Sequence, residues 1–286
     1  MPEGLRPDGG AARFTVLPVP YDLTVSYVSG ARGGPRAILE ASAHMELYDE
    51  ELRFEPIEAG IRTLPFLEPT AAGPEAMAGR VEEAVSEIVE GGSIPVVLGG
   101  EHSITVGLVR ALFKAHGSLS VLQLDAHADM RDRFEESPYS HACVARRISE
   151  ICPIVQVGVR SLSAEEAAFL DERAAAGDGS VRTFYAAGMR GGVPVDEIVS
   201  ALSEKVCVTV DLDCLDPSIM PATGTPEPGG LGWHDVLGLL RAVASHRKVV
   251  GMDVVELSPL PGNVAPDFTA ARLVYKMMGY AAMTEK

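Results

Sequence analysis

Short, almost wholly apolar runs alternate along the chain with segments whose apolar residues recur every three or four positions. The runs at 13–18, 56–61, 94–98, 118–124, 154–159, 181–184, 205–210 and 248–255 predict strands. Helical spacing predicts helices over 74–90, 103–116, 141–151, 164–175, 195–203, 233–244 and 265–283. In 74–90, Met77, Val81, Val85 and Ile88 share one face, Pro74 suits the first turn and Gly91 suits the end. Strands that are apolar on both sides belong in a sheet covered by helices on both faces. The strand–helix alternation therefore predicts a three-layer α/β/α fold around a mostly parallel sheet of about eight strands. No repeat or Ser/Gly linker divides the chain, so a single domain is expected over 13–286, after a frayed start at 1–12. The Gly/Pro-rich stretches 29–35 and 217–232 read as long loops, which are often functional.

Composition narrows the setting more than the function. A hydrophobic content of 47% with 22% charged residues suits a globular protein with a substantial core. No apolar run approaches the ~20 residues that cross a bilayer, and the N-terminus has no apolar signal region. Cys143, Cys152, Cys207 and Cys214 form no CxxC pair, so reduced, buried thiols and a cytoplasmic location are expected. Forty acids against 24 bases, a formal charge of −16, argue against nucleic acid and suit a cationic substrate. Many soluble proteins are acidic merely to stay dispersed, so the charge alone decides nothing.

The polar residues that break the apolar pattern fall directly after strands. Strand 118–124 runs into Asp125-Ala126-His127-Ala128-Asp129, strand 205–210 into Asp211-Leu212-Asp213, and strand 94–98 into Gly99-Gly100-Glu101-His102. A spacing of two keeps alternate side chains on one side of an extended chain, where they can converge. In an open parallel sheet such strand ends share one crevice. A lone Asp there often fixes a turn or caps a helix. Three such clusters after three apolar strands point instead to metal. Four crowded aspartates need cations to stay ionised without cost to the fold. Oxygen and imidazole ligands without thiolate suit manganese better than zinc, with magnesium also possible. Two such ions can lower the pKa of a shared water and make it a nucleophile near neutral pH.

These motifs, with Tyr139-Ser140-His141-Ala142-Cys143-Val144, the stretch 211–231, Asp253-Val254-Val255-Glu256-Leu257-Ser258-Pro259 and the stretch 30–39, resemble the ureohydrolase (arginase/agmatinase) family over nearly the full length. The resemblance implies an arginase-like fold, two Mn²⁺ per chain and hydrolysis of a guanidino group to urea and an amine. It implies His102, Asp125, His127, Asp129, Asp211 and Asp213 as metal ligands, with Asp125 and Asp213 bridging. It also implies His141 as a proton shuttle or substrate-positioning group, Glu256 as the acid that binds the guanidinium, and a homo-oligomer, trimer or hexamer. Chemistry supports the two roles: a carboxylate takes a planar guanidinium through two parallel hydrogen bonds, and a histidine can return a proton to the leaving amine.

The segment 130–138 is short and acidic. Its Glu135 and Glu136 suit a substrate whose far end is a cation, so agmatine, cleaved to putrescine in polyamine biosynthesis, is the expected substrate. N1-aminopropylagmatine is the near alternative, and guanidinobutyrate or arginine the more remote ones. The loop 225–230 supports the agmatinase branch, while Ala142 and Ala222 stand where many members have Gly, which leaves the pocket shape open. A one-zinc deacetylase and a non-catalytic homologue are the readings from other classes. The second Asp-x-Asp and Glu256 argue against the first, and the intact ligand set against the second.

Overall fold

A computed structural model describes residues 12–177 and 179–283. The expected frayed start at 1–12 lies outside them except for residue 12. The described residues contain eight strands: β1 (Phe14–Val19), β2 (Ile61–Thr63), β3 (Ile94–Gly99), β4 (Ser120–Leu124), β5 (Ile154–Val159), β6 (Val181–Tyr185), β7 (Lys205–Asp211) and β8 (Lys248–Val255). They form one sheet in the order β2-β1-β3-β8-β7-β4-β5-β6, every pair parallel. Eight α-helices accompany them: α1 (Gly34–Ser42), α2 (Pro74–Glu90), α3 (Thr105–His116), α4 (Val144–Ser149), α5 (Ala164–Ala176), α6 (Val195–Ala201), α7 (Trp233–His246) and α8 (Ala265–Met283).

Strand alternation divides the core in two. Val96 and Leu98, Leu122 and Leu124, and Val206, Val208 and Val210 pack with α1, α6, α7 and α8. Val97, Val121 and Cys207 point the other way, against α2, α3, α4 and α5. The expected three layers are therefore present, and their strands are apolar on both sides because each side has a helix layer to face.

Two expectations needed correction. Residues 56–61 are not a strand: Pro56–Ala59 is a 3-10 turn, and β2 begins only at Ile61. The loop expected at 29–35 ends in a helix, since α1 starts at Gly34. Gly33 and Gly34 obscured it, although Pro35 already stands in a helix's first turn. The stretch 217–232 is without helix or strand, as expected.

Close packing of α3 on α2 depends on Gly107, where a Cβ would sit 2.2 Å from the carbonyl oxygen of Ala78. Gly107→Val is therefore expected to cost about 1–3 kcal/mol, read as a lower urea midpoint. An unchanged midpoint would refute backbone contact as the limit on this position.

Candidate metal centre

The four central strands β3, β8, β7 and β4 deliver all the expected metal ligands and Glu256. From β4 the chain continues to β5 and β6 on one side, whereas from β7 it turns to β8 on the other. Such a reversal opens a crevice at the carboxyl ends of the strands. Three segments are laced together there by the backbone: Gly100 N donates to Val19 O (2.9 Å), Glu101 N to Tyr21 O (2.7 Å) and Glu256 N to Gly100 O (2.8 Å). Gly100 permits this approach, because a Cβ would lie 1.9 Å from Tyr21 O.

His102 and the aspartates meet at two points. His102 Nδ1 lies 3.1 Å from Asp125 Oδ2, 3.5 Å from Asp129 Oδ2 and 3.3 Å from Asp211 Oδ2. His127 Nδ1 lies 2.9 Å from Asp213 Oδ2 and 3.7 Å from Asp125 Oδ1. The groups His102–Asp125–Asp129 and Asp125–His127–Asp213 each gather their ligand atoms closely enough to hold one ion, and Asp125 belongs to both. Asp213 lies in the His127 group. His102 Nδ1 is buried and makes no well-directed hydrogen bond despite the three oxygens around it. A divalent cation is the partner that such a nitrogen and such oxygens fit. The aspartates also shape their own turns: Asp125 Oδ1 accepts from His127 N (2.7 Å) and Asp211 Oδ1 from Asp213 N (3.0 Å). The turn and the ligand are thus one arrangement.

Beneath the candidate ligands runs a row of polar side chains on neighbouring strands. Thr183, Gln156, Gln123, Thr209 and Asp253 stand in register on β6, β5, β4, β7 and β8. Thr183 Oγ1 donates to Gln156 Oε1 (2.9 Å), Gln156 Nε2 to Gln123 Oε1 (2.9 Å), and Gln123 Nε2 to Asp125 Oδ2 (2.7 Å). On the other side Thr209 Oγ1 lies 2.9 Å from His102 Nε2. A hydrogen on Nε2 leaves the Nδ1 lone pair facing the aspartates, the usual way in which an outer partner orients a metal-binding histidine. The signal in the sequence was a single polar residue inside each of the apolar strands β4, β5, β7 and β8.

Glu256 Oε1 accepts from His102 N at 2.6 Å and opens onto the cleft. His141 lies across it, its ring edge-on to Phe134 with centroids 5.9 Å apart. Glu101, also unassigned in the sequence, is fully buried and accepts from Ser103 Oγ (2.5 Å), Thr24 N (2.6 Å) and Thr24 Oγ1 (2.8 Å). Asp129 (φ 52°) and Glu256 (φ 66°) hold left-handed backbone, a strained state for non-glycine residues that clusters at functional sites.

The cleft encloses about 250 Å³ and is lined by His102, His127, Asp129, Asp211, Asp213, His141 and Glu256 among others. Glu135 and Glu136 are exposed and absent from its lining. Both have positive φ and occupy the tip of a tight turn closed by Phe134 and Ser137. The acid in the outer wall is instead Glu166, paired with Arg131 at 3.7 Å.

Burial of so many acids distorts their titration. Burial, then the charge of Asp125, pushes Asp129 up to about 7. Burial, then Glu101, pushes Glu256 up to about 8. Asp211 is raised well above the carboxylate range by burial and by Asp213 and Asp125. Burial works against the charge on His127, but Asp125 and Asp213 outweigh it and raise the ring to about 12. His102 is likewise raised despite burial, by Asp125, Asp129 and Asp211. His141 has no acid close enough to compensate: burial, then the neighbouring imidazoles, lowers it to about 4.

The model of the Arginase family matches residues 12–279. The chain is 40% identical over 279 residues to an N(1)-aminopropylagmatine ureohydrolase of Synechocystis sp., covering 94% of this chain and 89% of the relative. It is 43% identical over 270 residues to one of Thermus thermophilus, covering 94% and 90%. The crystal structure of an agmatine ureohydrolase of Thermoplasma volcanium superimposes with a TM-score of 0.85 at 33% identity, covering 95% of this chain and 90% of that one.

The titration predicts a pH effect on the metal-free chain. Between pH 5 and 9 the folded chain keeps protons on Asp129, Glu256, His102 and His127 that the unfolded chain releases, because all four folded pKa values are raised. Stability present at low pH must therefore be lost as pH rises through that window. Divalent cations replace those protons and reverse the trend. Thermal melting at pH 6 and pH 9, with chelator and with manganese, checks this. A metal-free melting temperature that rose with pH would contradict it.

Proposed function

The chain belongs to the arginase family, and from that premise we propose that it hydrolyses the guanidino group of N1-aminopropylagmatine with two manganese ions. Membership makes it a hydrolase acting on C–N bonds. The observation that carries the finer reading is the pair of His/Asp groups sharing Asp125 beneath a cleft that also exposes Glu256 and His141.

His102, Asp125, Asp129 and Asp211 would hold one ion, and His127, Asp125 and Asp213 the other. Two ions so held would supply Lewis acidity and an activated water near neutral pH. The remaining work falls to the chain. Glu256 presents a carboxylate to the guanidinium, and the arriving cation compensates the charge that burial penalises. Its hydrogen bond from His102 N ties the substrate-binding acid to a metal-binding residue, so the guanidinium carbon is aligned as the substrate seats. His141, neutral in this site, can accept a proton during attack and return it to the departing amine. Ser161, Ser163 and Glu166 line the outer cleft and offer acceptors to the amines of a polyamine tail.

The aminopropyl tail is favoured by the relatives at 40% and 43% identity. Agmatine is the second reading, supported by the likeness to the Thermoplasma volcanium enzyme. We place the activity in polyamine biosynthesis, with urea as the shared product.

Urea release from N1-aminopropylagmatine, agmatine, arginine and guanidinobutyrate with manganese present tests the reading. N1-aminopropylagmatine should give the highest kcat/KM, with arginine more than about tenfold lower. A lead for agmatine selects the second reading, and a lead for arginine sinks both. Asp125→Ala should lose bound manganese and turnover together, and retention of both would refute the shared ligand. Glu256→Gln should keep its metal yet lose roughly 100-fold or more in kcat/KM. Glu135→Gln and Glu136→Gln should stay within about twofold of wild type, because their side chains stand outside the cleft.

A further inference from the structure

The loop between β1 and α1 reaches into the site. Asp22, 6% exposed, closes it by accepting from Gly30 N and Arg32 N, both at 3.2 Å, and by pairing with the Arg32 guanidinium. Thr24 then stands between the buried Glu101 and His141. Its Oγ1 lies 2.8 Å from Glu101 Oε1, 3.1 Å from His141 N and 3.2 Å from His141 Nδ1.

A threonine hydroxyl has one hydrogen to give and two lone pairs to receive with. Glu101 accepts from Ser103 Oγ, Thr24 N and Thr24 Oγ1, so the hydroxyl hydrogen goes to the carboxylate. Both remaining positions on Thr24 Oγ1 are then acceptors. One takes the backbone N–H of His141, and the other can meet Nδ1 only if Nδ1 carries a hydrogen. Ser140 Oγ, 3.3 Å from the same nitrogen, can accept as well and does not oppose this. Among the described residues, His141 Nε2 makes no hydrogen bond.

We propose that Thr24 is a positioning residue that, backed by Glu101, fixes the hydrogen of His141 on Nδ1 and reserves Nε2 for proton exchange with the substrate. The proposal rests on the role given to His141 above. The balance is simple: Nε2 accepts one proton in attack and gives it back to the leaving amine, while the Nδ1 hydrogen never leaves the ring. A histidine whose tautomer is unfixed spends part of its time with the lone pair on the wrong nitrogen. Thr24 at Nδ1 and the T-shaped contact with Phe134 together orient the ring.

Two measurements test it. Nitrogen NMR of histidine-labelled, magnesium-loaded protein, with His141 assigned by comparison with His141→Gln, should show Nδ1 protonated and Nε2 bare at neutral pH. This readout needs no turnover, so it stands even if no guanidino compound is a substrate. The opposite tautomer in the wild type overturns the proposal. In urea release, Thr24→Val should lower kcat at least about tenfold with KM within about twofold, and Thr24→Ser should restore most of it. Equal kcat in Thr24→Val, or a Ser variant as impaired as the Val variant, refutes the role while leaving the substrate assignment intact. A wild type without urea release from any guanidino compound would overturn the functional reading instead.

Discussion

Negative charge confined away from water is the constraint around which the rest of this structure is arranged. Asp125, Asp129, Asp211 and Asp213 are buried within reach of one another, with Glu101 buried beside them and Glu256 at the cleft. In a low-dielectric interior these acids cannot all ionise unless opposite charge is supplied. His102 and His127 supply part of it while protonated, which is why both are held far above ordinary histidine basicity. If the site holds metal as proposed, the same imidazoles would have to give up those protons, which would link its stability to metal binding.

Holding the charges in place takes more than the ligands. The in-register row from Thr183 through Gln156 and Gln123 delivers a directed hydrogen bond to Asp125, and Thr209 Oγ1 meets His102 Nε2 as its partner. These residues lie inside strands packed on both faces, where a polar group without a partner would be costly. Each satisfies the next, and the row ends on a ligand. Backbone contributes as well: Asp129 and Glu256 keep left-handed conformations, a cost tolerated because the laced strand ends leave the chain no alternative.

The first loop completes the site from a distance in sequence. Thr24 contacts Glu101 and His141, 77 and 117 positions away. Asp22 keeps that loop folded over the cleft through its ties to Gly30 and Arg32. The segment carrying Glu135 and Glu136 follows a different logic. Its two acids occupy a turn that needs positive φ at both central positions, and such a turn projects them into solvent. Acidity near the motif was a fair sign of a cationic substrate, but the turn geometry, invisible in composition, assigns the cleft to Phe134, Arg131 and Glu166 instead.

By itself the sequence determined the layered parallel fold, because strands apolar on both sides have no other stable surroundings. It also determined that Asp125, His127, Asp129, Asp211 and Asp213 come at or directly after strand ends, whereas their aim depends on local geometry that spacing does not encode: Asp213 sits in a 3-10 turn and Asp129 has a positive φ. It did not reveal α1, whose start is masked by consecutive glycines, nor the 3-10 turn at Pro56–Ala59. Only the tertiary structure decided which strands lie side by side, and hence that His102, Glu256, Asp211 and Asp125 share one crevice. It likewise decided that Asp125 joins both ligand groups, and that Thr24 meets His141. Those outcomes depend on strand order and on the register between strands far apart in the chain, and no local pattern encodes either.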